Sequence, residues 1–148
     1  MAADEPAALS RIQERAAAET RALRHGYIGS EHLLLALLGV SGTHAARRLE
    51  EAGARYDEVR ARIVRIVGLG DEQIADDEIL PYTSNAVAVT QRVRRESQRS
   101  GPQAIGTEHI LRAVLRRRGA LAVPVLEDCG IDASALADEL RRARPDEA

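Results

Sequence analysis

The sequence predicts an all-α protein, an eight-helix bundle made of two tandem four-helix repeats with pseudo-twofold symmetry. Three observations carry this. Ile28-Gly29-Ser30-Glu31-His32-Leu33-Leu34 returns 77 residues later as Ile105-Gly106-Thr107-Glu108-His109-Ile110-Leu111. The same offset aligns Ala36 with Ala113, Leu38 with Leu115, Gly42 with Gly119, Leu49 with Leu126 and Gly53 with Gly130, so the chain is an internal duplication. Apolar residues recur at spacings of three and four, and no segment alternates with the period of two that a half-buried strand requires. The single domain over 1–148 then divides into a first repeat over about 6–67, a linker over about 68–82 and a second repeat over about 83–144.

Each element has a local justification. Leu9, Ile12, Ala16, Thr20 and Leu23 form one stripe of a first helix that stops near His25-Gly26. Ser30 and Thr107 stand where an N-cap is needed, each before an apolar stretch, so the second helix of each repeat is expected to be its most buried. A third helix covers about Thr43 to Ala52 and ends at Gly53, with Gly130 as the counterpart, because a glycine without Cβ adopts the left-handed C′ conformation freely. The fourth runs from about Asp57 to Val67 and from Ala133 to Ala143, with Val59, Ile63, Ile66, Leu136 and Leu140 turned inward. Pro124 falls inside the third helix of the second repeat, where a mid-helix proline costs about 3 kcal/mol; that helix either starts later, with Pro124 in its first turn, or is kinked. Between the repeats, Gly68, Gly70, Pro81 and the acidic run Asp71, Glu72, Asp76, Asp77 and Glu78 are linker chemistry.

Composition narrows the function. The chain of 148 residues is large enough to bury a core without staples, and its one cysteine, Cys129, excludes a disulfide framework and a Cys-based zinc site. Cys129 reads as a small core residue. Three tyrosines are its only aromatics, which removes a stacking platform for single-stranded nucleic acid. The net charge is −2, although all 21 basic residues are arginine. An acidic N-terminus and the lack of any long apolar run predict no signal peptide and no membrane span, hence a cytoplasmic location. The acidic ends, Asp4-Glu5 and Asp146-Glu147, read as the solvated termini of a small stand-alone protein.

Two copies of I-G-[ST]-E-H-[LI]-L, each followed by a helix ending L-E-x-x-G, with a Pro81-Tyr82-Thr83 lead-in to the second repeat, resemble the N-terminal domain of the Clp/Hsp100 AAA+ unfoldases, ClpC type above all. The resemblance covers nearly the whole chain. It implies a non-catalytic, cofactor-free module of the Clp protease system that binds protein substrates, degrons, adaptors or the Clp ATPase. No G-x-x-x-x-G-K-[ST] phosphate loop is present, so this polypeptide is not expected to be an enzyme.

In ClpC-type domains the motif glutamate helps to bind phosphoarginine, which by resemblance nominates Glu31 and Glu108. A carboxylate accepts a guanidinium fork, while a helix N-terminus with a hydroxyl cap suits the phosphoryl group. Thr83, opening the fifth helix, fits the second role, and its equivalent in the first repeat is Pro6. The second-repeat site, Thr83 with Glu108, is therefore expected to be the stronger. His32 and His109 read as buried, hydrogen-bonded histidines, since the Glu-His pairs lack the spacing of a helical zinc site. No metal is expected.

Two other functions fit the same residues. A free copy of the fold that sequesters ClpC-targeting cyclic-peptide antibiotics is one; the resemblance places Tyr82 near that surface, but the family's other aromatics are missing. A nucleic-acid-associated regulator using Arg92, Arg94, Arg95, Arg99, Arg112 and Arg116 to Arg118 is the other. Nucleic acid is the less favoured partner, because the chain is net negative and a solvated helix face accounts for the arginines.

Overall fold

A computed structural model of the chain describes residues 5–142. The elements are α1 (Ala7–Ala22), α2 (Ser30–Gly39), α3 (His44–Glu51), α4 (Tyr56–Val67), α5 (Ser84–Ser100), a short 3-10 turn (Pro102–Ala104), α6 (Thr107–Arg116), α7 (Ala122–Asp128) and α8 (Ala133–Arg142). Among the described residues there are thus eight α-helices and no strand. Ala143, Asp4 and Asp146-Glu147, which the sequence reading used, lie outside the described residues.

The core forms around α2 and α6, the helices that follow the two motifs. In α2 every residue from Ser30 to Leu38 is buried, and α6 buries Ile110, Leu111, Ala113, Val114 and Leu115. At about 1.5–3 kcal/mol for each leucine or isoleucine removed from water, these two helices contribute the largest single share of the hydrophobic drive. Around them α1 packs on α2 and α5 on α6, and the repeats join where α2 meets α6 and α7, α3 meets α6, and α4 meets α7.

The helix starts differ from the sequence expectation in an informative way. Ser30 and Thr107 are not N-caps but the first helical residues, the caps being Gly29 and Gly106. Each hydroxyl is used across the repeat boundary: Ser30 Oγ accepts the Ala122 N–H of α7 at 3.1 Å, and Thr107 Oγ1 accepts the Ala45 N–H of α3 at 3.0 Å. Each motif thereby satisfies an otherwise orphan N–H at a helix start of the other repeat. Removing either hydroxyl with Ser30→Ala or Thr107→Ala is expected to cost about 1–3 kcal/mol, because a buried donor is left without a partner. Urea denaturation checks it; unchanged midpoints would mean the bonds contribute nothing.

Pro124 sits in the first turn of α7, where its missing N–H is no loss, and the helix starts one residue later than its counterpart α3. Gly53 and Gly130 end α3 and α7 at φ 104° and 84°. Ile66 departs from expectation: it is 43% exposed, while Val59 and Ile63 face the core. Ile66 lies on the last turn of α4, where the periodic stripe runs out past the neighbouring helices. Cys129 is half-buried against the core, and burial pushes its thiol pKa up.

α1 ends earlier than His25-Gly26. Arg24 adopts φ 60°, and the His25 N–H closes back on the Thr20 carbonyl at 3.1 Å. A left-handed arginine costs about 1–2 kcal/mol, and the turn it makes is held by the linker. Gly70 N–H bonds to the Leu23 carbonyl at 2.9 Å, and a Cβ at Gly70 would collide with the Arg24 carbonyl oxygen. The Arg21 guanidinium donates to the Glu78 carbonyl at 2.7 Å, so both ends of the acidic run are tied to the last turn of α1.

Candidate functional site

The two motifs build two equivalent helix starts. At each, the glycine cap is extended, with φ −108° at Gly29 and −113° at Gly106. The histidine three residues on turns its ring back, so that Nδ1 of His32 accepts the Gly29 N–H at 2.9 Å and Nδ1 of His109 accepts the Gly106 N–H at 2.9 Å. The histidines are therefore capping groups; both are hydrogen-bonded, and His32 is buried whereas His109 is only half-buried. The described residues contain no cluster of ligating side chains suited to a metal.

The glutamates lie between hydroxyl and histidine, in the first turn of α2 and α6. Each side chain curls back over its own glycine cap, where a Cβ would collide with Glu31 Oε1 or Glu108 Oε1. Glycine at 29 and 106 is thus what lets the carboxylate lie over the helix start. One oxygen of each, Glu31 Oε2 and Glu108 Oε1, is buried and has no hydrogen-bond partner among the described residues. An unpaired buried carboxylate oxygen is costly, so both positions are poised to accept a donor.

The two sites are unequal. Glu31 is only 2% exposed, and burial raises its pKa against the opposing pull of its own backbone N–H and of His25. Glu108 is partly open to solvent. The repeats also differ here at His25, whose equivalent in the second repeat is Pro102. His25 Nδ1 lies 2.8 Å from His32 Nε2, and His25 Nε2 lies 2.8 Å from the Gly68 carbonyl. Because the Gly29 N–H can only donate, His32 Nδ1 must accept; His32 Nε2–H then donates to His25 Nδ1, and His25 Nε2–H donates to Gly68 O. This chain of hydrogen bonds fastens the end of α4 to the start of α2. Sequence reasoning missed it, since only the left-handed turn at Arg24 aims His25 inward.

Thr83 caps α5, its hydroxyl accepting the Ala86 N–H at 3.2 Å. Backbone pairing joins it to the first motif: Ile28 N–H bonds to the Pro81 carbonyl at 2.8 Å and Thr83 N–H to the Ile28 carbonyl at 2.9 Å. The described hydrogen bonds include none between Thr83 and Glu108. The sequence expectation paired those two; the geometry sets Thr83 beside the motif that carries Glu31. Tyr82, in the same segment, is half-buried, and burial raises its pKa while a hydrogen bond with Gln13 opposes the rise.

The arrangement is an all-helical duplicated domain with two carboxylate-bearing helix starts and, among the described residues, no helix long and apolar enough to cross a membrane. Such a domain belongs to the class of duplicated all-helical repeat modules. The chain matches the Clp repeat (R) N-terminal domain over residues 8–120 and 94–145, and it is a member of that family. It is 32% identical over 124 residues to the chloroplastic chaperone protein ClpC1 of Arabidopsis thaliana, a match that covers 84% of this chain and 13% of that protein. A ClpA homolog from Guillardia theta is 31% identical over 130 residues, covering 88% of this chain and 16% of that protein. The chain therefore corresponds to about one-seventh of these relatives. Among solved structures, the N-terminal domain of ClpD from Arabidopsis thaliana superposes with a TM-score of 0.71 at 17% identity, covering 93% of this chain and 92% of that one. The Hsp104 N-terminal domain from Candida albicans gives a TM-score of 0.71 at 13% identity, covering 94% and 90%. These last two likenesses establish the fold.

Proposed function

We propose that the chain is a protein-recognition module of a Clp system, binding substrates, degrons or adaptors, and that Glu108 is its principal contact for a guanidinium-bearing ligand such as phosphoarginine. Clp N-terminal domains serve Clp chaperones as substrate- and adaptor-binding modules, and family membership supports that role here. The observation that carries the finer reading is the buried, unpartnered oxygen of Glu108 on an otherwise accessible side chain at a helix start. A guanidinium fork satisfies that oxygen, and charge-assisted bonds of this kind are about twice as strong as neutral ones. The phosphoryl group is favoured by the positive end of α6.

Accessibility ranks Glu108 above Glu31. The same order was expected from sequence for another reason, the hydroxyl at Thr83. Calorimetry with a phosphoarginine peptide and its unphosphorylated twin tests the reading. The phosphorylated peptide is expected to bind more tightly, Glu108→Gln to weaken it roughly tenfold, and Glu31→Gln to weaken it less. Equal affinity for the two peptides, or indifference to Glu108→Gln, would overturn it.

A further inference from the structure

The internal duplication supplies a comparison within one molecule, because each residue of the second repeat has a counterpart on the same backbone in the first. In the first repeat side chains of α1, α2 and α4 pair with one another, and the clefts beside them, at Arg11 to Ser41 and at Glu50 to Asp57, carry no excess of unpaired arginine. Arg15 pairs with Glu19 at 2.8 Å and donates to the Gly39 carbonyl at 3.2 Å, and the Tyr56 hydroxyl donates to Glu19 at 2.6 Å. The Arg15 guanidinium also lies over the Tyr56 ring, 5.9 Å from its centre. This cluster is self-satisfied.

The second repeat dismantles it. Ala133 stands in place of Tyr56, Arg112 in place of Leu35, Arg116 in place of Gly39, Arg118 in place of Ser41 and Arg141 in place of Val64. Arg112 takes the carboxylate of Glu96, the counterpart of Glu19, at 3.0 Å. Arg92, the counterpart of Arg15, thereby loses the partner that Arg15 has, and burial together with Arg116, Arg112 and Arg95 lowers its pKa against the pull of Glu96. Arg116 and Arg118 form no ion pair among the described residues.

At the same place a cleft of about 390 Å³ opens between the C-terminal end of α6, α7 and α8. Its floor is apolar, formed by Leu115, Val123, Ala133 and Ala137, and Arg116 and Arg118 stand on its rim. Arg141 is on the rim too but is partly neutralised by Asp138 at 3.1 Å. The volume falls in the range of small-ligand and side-chain pockets.

We infer that this cleft is a second docking site, for an acidic protein segment in which an aliphatic residue enters the apolar floor while flanking carboxylates pair with Arg116 and Arg118. The chemistry favours a peptide over nucleic acid. Glu127 and Asp138 sit in the wall and would repel a continuous phosphate backbone, whereas a peptide places its carboxylates only where the arginines are. The cleft contains no aromatic ring on which a base could stack. This site is on the far end of α6 from Glu108 and does not depend on the phosphoarginine reading.

The probe is a short acetylated peptide of glutamates flanking a leucine, with its glutamine analogue as the control, followed by amide chemical shifts of the intact chain. Shifts are expected along the end of α6, α7 and the start of α8. Glutamine for glutamate in the peptide, or Arg116→Gln with Arg118→Gln in the protein, is expected to weaken binding roughly tenfold or more, and raised salt to weaken it further. Arg55→Gln, an exposed change in the first repeat, is expected to leave it unchanged. No binding, equal binding of the glutamine analogue, shifts centred on Glu108, or equal competition by an oligonucleotide would each overturn the inference.

Discussion

Acidification from pH 7 to pH 4.5 is expected to remove about 2–3 kcal/mol of stability through His32 alone. Burial, with the neighbouring His25, lowers the pKa of His32 to about 3 from an ordinary 6.5. A group with a depressed folded pKa binds fewer protons when folded, so its contribution is intact above 6.5 and is lost progressively as the pH falls towards 3. The structural cause is the cap: a proton on His32 Nδ1 would displace the Gly29 N–H. Glu31 works in the opposite direction, since its pKa is raised and its protonation favours the folded state in acid. Its protonation therefore offsets part of the loss through His32. Chemical denaturation across this range checks the expectation, and His32→Gln should flatten the curve while lowering stability at pH 7. A curve of unchanged slope in that variant would refute this role of His32.

Leu34→Ala is expected to cost about 2–5 kcal/mol, among the largest losses for any single truncation in this domain. Leu34 is fully buried in α2, the helix that touches both its own repeat and α6 and α7 of the other. The equivalent change at Leu111 should cost a similar amount, because α6 occupies the matching place. Thermal unfolding of both variants measures this. A marked inequality would mean that the two repeats do not share one cooperative core.

The fold was largely legible because the duplication is written in the sequence itself: Ile28 and Ile105 open matching motifs, and periodicities of three and four mark the helices between them. The capping was misread at Ser30 and Thr107 because a serine before an apolar stretch signals a local cap, whereas here the acceptor serves an N–H that lies 92 residues away for Ser30 and 62 for Thr107. No local pattern encodes such a partner. Thr83 was set with Glu108 on repeat arithmetic, and only the backbone pairing of Ile28 with the Pro81–Thr83 segment reveals its neighbour. The glutamates were nominated by resemblance, but the His25–His32 bond beside the first of them was not legible, because it depends on the left-handed turn at Arg24, and Pro102 stands in its place in the second repeat.

The start of α6 is proposed to receive a guanidinium-bearing anion through Glu108. Free phosphoarginine titrated into the isotope-labelled chain tests it most directly. Saturable shifts are expected, concentrated on the Thr107 to Leu111 amides, weaker on Ser30 to Leu34, and lost on Glu108→Gln. Shifts that arginine alone reproduces, or that persist unchanged in Glu108→Gln, would contradict it.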